Sequence, residues 1–99
     1  MNNNEKTNRK DKIMTDDERL GELQEELFNI DKQIVLLLNQ RADFSTELNT
    51  LKLKLGMPLN DKLEEYDIME ALEKISAYTN MINDVYPAIF KYSKTLYEE

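Results

Sequence analysis

Between Asp16 and Leu55, apolar side chains recur at Leu20, Leu23, Leu27, Ile30, Ile34, Leu37, Leu38, Phe44, Leu48, Leu51 and Leu55. Steps of three and four residues put most of them on one face of an α-helix, with polar residues covering the other. No proline interrupts the run, and its single glycine, Gly21, lies in the first turns. The pattern predicts one continuous helix of about forty residues, which at ~1.5 Å per residue spans roughly 60 Å. A compact domain of this size does not need so long a helix. Its apolar stripe must be covered by something beyond its own short chain. That predicts an intertwined oligomer with a site built between helices.

Beyond this run, Gly56 and Pro58 form a helix stop. Asp61, three residues before Glu64, reads as an N-cap with its capping-box partner. A second helix is expected from about Lys62 to Tyr78, carrying Leu63, Tyr66, Ile68, Met69, Leu72 and Ile75. Asn80 and Asn83 flank a short connection, and a third helix is expected to start near Asp84, with Pro87 in its first turn. Its stripe is Val85, Tyr86, Ile89, Phe90, Ser93, Leu96 and Tyr97. There is no strand signal, internal repeat or glycine-rich phosphate loop. The expected fold class is all-α, one domain over residues 16–99 with helices of long, medium and short length. Residues 1–15 form a polar leader; Met1 to Lys12 is Asn-rich and aperiodic and is expected to be disordered.

Composition narrows the function. Ninety-nine residues allow one domain with a modest core unless a partner extends it. Two Gly, two Pro, forty per cent apolar and thirty-three per cent charged residues suit a helical protein. Cysteine and histidine are absent, which removes disulfides, thiol catalysis, imidazole bases and Cys or His metal ligands. No metal or cofactor is expected. No apolar run approaches the ~20 residues of a membrane span, and no signal-peptide pattern opens the chain, so a cytoplasmic protein is expected. The net charge is −7, and residues 1–12 carry four basic and two acidic side chains, which leaves −9 on the remainder. An acidic body argues against nucleic acid, whose recognition needs clustered cations.

Three groups are candidates for chemistry. Arg41 and Lys52 are eleven residues apart, almost three whole turns, so both project from one face roughly 16 Å apart. The alternative is a pair of snorkelling cations bridged to acids such as Asp43 or Glu47. Asp61, Glu64 and Glu65 open the second helix, where acids are also favoured by capping and the helix dipole. Ser93 and Tyr97 stand one turn apart on the last helix, where packing roles are the alternative.

Taken together, Leu20 to Leu72 resembles the all-helical chorismate mutase family. The likeness lies in L-x-x-L (Leu20, Leu23), I-D-x-x-I-V-x-L-L (Ile30 to Leu38), Arg41, Lys52, L-G-M-P-L-N-D (Leu55 to Asp61) and Glu65. The resemblance implies a homodimer of three-helix subunits whose long helices cross, with two sites shared across the interface. It also implies chorismate, a small dianion, as ligand, and its rearrangement to prephenate in aromatic amino-acid biosynthesis, the shikimate pathway. That pericyclic step needs no nucleophile and no proton transfer. By position, Arg41 would clamp a carboxylate and Lys52 would donate to the breaking ether oxygen. Glu65, with the backbone near Asp61, would accept from the substrate hydroxyl.

Three family positions depart from the pattern. The arginine expected after the second leucine of L-x-x-L, reaching into the partner's site, is Gln24. The arginine expected before the helix-two glutamate is Glu64. The glutamine expected four residues after the family serine is Tyr97, if Ser93 is that serine and helix three carries a deletion; without the deletion Tyr97 replaces the serine itself. Two lost cations and one added acid shift the pocket by about three charge units against a dianion, at roughly 1.5–3 kcal/mol per charged contact. Three readings follow: a weak or partner-dependent chorismate mutase; a degenerate module with a regulatory or binding role, docking on a shikimate-pathway enzyme; or a structural helical dimer. A pyruvate-lyase activity on isochorismate uses a similar scaffold.

Overall fold

The structure is a computed structural model that describes residues 13–99; the expectations for Met1 to Lys12 lie outside the described residues. Three helices follow in order, α1 over Asp16–Lys54, α2 over Lys62–Ile75 and α3 over Thr79–Ser93. No strand occurs among the described residues, and the fold is all-α.

Helix α1 opens on a reciprocal capping box. The Glu18 amide donates to Thr15 Oγ1 at 3.1 Å, and the Thr15 amide donates to Glu18 Oε1 at 3.0 Å. Thr15, the last residue before the expected helix, is its N-cap. Asp16, Asp17 and Glu18 in the first turn, and Lys52 and Lys54 in the last, complement the helix dipole. Gly56 ends the helix in the left-handed region, at φ 72°. The Met57 amide reaches the Lys52 carbonyl at 2.8 Å and the Gly56 amide reaches that of Leu53 at 3.2 Å, the bond pair of a Schellman stop. This terminus also fixes where Lys52 leaves the helix.

At α2 only half of the expected capping box forms. Asp61 Oδ1 accepts from the Glu64 amide at 3.1 Å, but the Glu64 carboxylate turns to Lys52 instead of returning to the cap. The helix stops at Ile75, three residues before the expected Tyr78. Ser76 is extended there, and its hydroxyl accepts from the Tyr78 amide at 2.9 Å, which turns the chain. Helix α3 then begins at Thr79, five residues before the expected Asp84. Asn80 and Asn83 lie inside it, because burial of Ile82 outweighs the weak helix preference of asparagine. Pro87 is therefore interior and not in the first turn; it lacks the N–H that would bond the Asn83 carbonyl.

The chain falls into two compact units, residues 1–36 and 37–99. The described part of the first is mostly the N-terminal stretch of α1, where Leu20, Leu27, Phe28, Ile30 and Ile34 are all exposed. In the second, α2 and α3 pack on each other around Phe90 and Ile82, and the Tyr86 and Phe90 rings meet edge to face at 5.6 Å. Leu63, Tyr66 and Ile75, expected in the apolar set of α2, are exposed. The α1 segment of this unit is fastened to α2, α3 and the C-terminal tail by polar side chains. Its own apolar residues stay open, with Leu37 62% and Phe44 71% exposed.

Candidate functional site

The register of α1 places Arg41, Ser45, Asn49 and Lys52 in one row, four, four and three residues apart. This polar row is the floor of the site. Arg41 Nη1 donates to Ser93 Oγ at 2.5 Å and to Ser45 Oγ at 3.4 Å. Ser93 Oγ passes its own hydrogen to the Ile89 carbonyl at 2.7 Å, which aims its lone pairs at the guanidinium. The guanidinium carbon also lies 5.7 Å from the centre of the Phe90 ring, within cation–π range. Both Arg41 bonds use Nη1, so the Nη2 and Nε edge keeps donors for a ligand. Among the described residues, no carboxylate pairs with Arg41, and neither Asp43 nor Glu47 bridges either cation of the row.

Lys52 is buried, and its ammonium meets Glu64 Oε1 at 2.9 Å. Glu65 Oε2 holds Lys94 at 2.8 Å, and the same ammonium donates to Asn60 Oδ1 at 2.9 Å. These groups converge on one cavity of about 120 Å³, whose polar lining includes Arg41, Lys52, Glu64, Glu65, Ser93 and Lys94. Arg41 and Ser93 also line a second, largely apolar groove of about 630 Å³ with Leu38, Ala42, Val85 and Leu96.

Of the residues singled out from sequence, Arg41, Lys52, Glu64, Glu65 and Ser93 are thus brought together. Asp61 is not among the lining residues; it serves as the α2 cap. Tyr97 follows the end of α3, is 44% exposed and does not line the cavity. Gln24 belongs to the first unit and is exposed, whereas the cavity is lined wholly by the second.

Sequence reasoning missed Lys94, Asn49 and Ser45. Lys94 lies off the apolar stripe of the third helix, at the C-cap of α3, and its pairing with Glu65 has no local sequence signal. Ser45 and Asn49 carried a usable signal, since they continue the Arg41–Lys52 row at helical spacing.

Comparison with known proteins bears on this arrangement. Residues 23–98 match the family described as chorismate mutase type II. The chain belongs to that family. A chorismate mutase of Methanocaldococcus jannaschii is 27% identical over 74 residues, covering 75% of each chain. No solved structure matches. The chorismate mutase type II match spans the polar row, the cavity-lining Glu64 and Glu65 of α2 and the whole of α3, so every residue lining the cavity falls within it. The protein is chorismate mutase-like. Among the described residues, no helix is long and apolar enough to cross a membrane.

Proposed function

We propose that the cavity is a chorismate site and that the protein is a weak or partner-dependent chorismate mutase. The observation that carries this reading is the convergence of Arg41, Lys52 and Glu65 on one cavity within the family match. Rearrangement to prephenate asks the protein to hold a dianion in a compressed chair and to stabilise the ether oxygen as its bond breaks. The open edge of Arg41 suits one carboxylate, in the bidentate manner of a guanidinium. Lys52, desolvated at the end of α1, is the donor to the ether oxygen. Glu65 keeps its Oε1 for the substrate hydroxyl while Oε2 holds Lys94.

At about 120 Å³ the cavity is smaller than the ~300–1,000 Å³ usual for small-molecule sites. A site completed by a second copy accounts for both that shortfall and the open stripe of α1. We therefore assign a homodimer in which Gln24 enters from the partner, built from a domain over residues 16–99 behind a leader of residues 1–15, in the cytoplasm. Gln24 and Glu64 in place of arginines weaken the hold on a dianion, and Tyr97 brings no amide. The engagement of Lys52 by Glu64 favours a second reading, a degenerate module that binds a pathway metabolite or docks on a shikimate-pathway enzyme without turning it over.

Loss of chorismate absorbance on incubation with the purified protein tests the first reading. Lys52→Ala should lower the rate on the order of a hundredfold, the usual effect of removing one such donor. Equal rates for the two proteins would overturn the mutase reading.

A further inference from the structure

Lys52 and Glu64 are unequal partners. The lysine side chain is 10% exposed and the glutamate side chain 49%. The ammonium is fixed inside the cavity wall by the end of α1, whereas the carboxylate reaches it from the open first turn of α2. The backbone there is held by Asp61, whose carboxylate caps the Glu64 amide and does not depend on where the Glu64 side chain lies. Glu64 can therefore leave Lys52 without unwinding α2. Two of the three cations lining the cavity are already paired, Lys52 with Glu64 and Lys94 with Glu65, and only Arg41 lacks a carboxylate among the described residues.

We propose that Glu64 is an internal anion occupying the place on Lys52 that a ligand's electron-rich oxygen would take, so that a ligand that needs Lys52 enters the cavity only in competition with its own side chain. A buried ammonium stripped of its partner is costly, so Lys52 is free of Glu64 in only a small fraction of molecules until an incoming oxygen takes its place. The apparent affinity then falls by the fraction of molecules in which Lys52 is free. Glu64 thus sets which ligands the site holds: one with a single carboxylate meets Arg41 at full strength, while one that also needs Lys52 meets a competitor. Glu65 does not act this way, because its partner Lys94 is no part of the α1 row.

This inference rests on reading the cavity as a chorismate site, and the test separates the two. Chorismate affinity is measured calorimetrically for the unaltered chain, Glu64→Gln, Lys52→Gln and the double variant. Glutamine at position 64 keeps the side-chain length and the Asp61 cap, and Glu64→Ala, with folding checked by circular dichroism, repeats the measurement without an amide. Both single changes at 64 should tighten binding by about tenfold or more. In the Lys52→Gln background the gain should shrink to about twofold or less, because the competition is for Lys52 itself. No gain, or an equal gain without Lys52, overturns the competition; the second result would mean only that a negative charge had been removed. If the unaltered chain binds chorismate and Glu64→Gln binds it no better, the competition alone falls. If neither binds it, the chorismate reading falls too.

Discussion

The side-chain amide of Asn49 donates to the Ser93 carbonyl at 2.8 Å and to the Leu96 carbonyl at 2.9 Å, which fastens the end of α3 to the polar row of α1. The Ser93 carbonyl, at the last residue of α3, also accepts from the Leu96 amide at 3.1 Å, and Asn49 adds a second donor from α1. Asn49 is buried. The same contact steadies Ser93, which receives the Arg41 guanidinium.

Asn49→Leu should therefore destabilise the fold by about 2–3 kcal/mol, since two bonds are lost and the part-buried Leu96 carbonyl is left without this donor. The thermal midpoint should fall on the order of 10 °C, read by circular dichroism at 222 nm. A change within a degree would mean that α3 ends where it does for another reason.

The long helix and its stop were legible because nothing competes with them. Apolar spacing, an unbroken run and Gly56 all agree, and each signal is local. The α2–α3 junction was not legible. Asn80 and Asn83 look like connection residues, but Ile82 packs into the small core and draws both into a helix. Local preference is worth tenths of a kilocalorie per residue, and burial of one isoleucine exceeds it. At the site, the Arg41–Lys52 spacing was readable from helical geometry alone. Which acid each lysine meets was not, because the Lys52–Glu64 and Lys94–Glu65 pairs depend on how α2 and α3 close over the end of α1.

The open apolar side chains of α1 set the expectation for assembly. Light scattering should give twice the chain mass of 11.7 kDa at micromolar concentration. Leu37→Lys, in the middle of the stripe, should shift the mass toward the single chain by placing a charge in the proposed interface. A stable single-chain mass for the unaltered protein would contradict the homodimer and leave the stripe to a different partner.

If the cavity is a chorismate site weakened at two positions, restoring cations there should recover turnover. The most direct measurement is the chorismate turnover of the Gln24→Arg/Glu64→Arg double variant against the unaltered chain and Lys52→Ala. Recovery of even one deficit of ~1.4 kcal/mol is worth tenfold, so the double variant should turn over chorismate at least about tenfold faster than the unaltered chain. A double variant that folds and dimerises yet is no faster than Lys52→Ala would contradict the account.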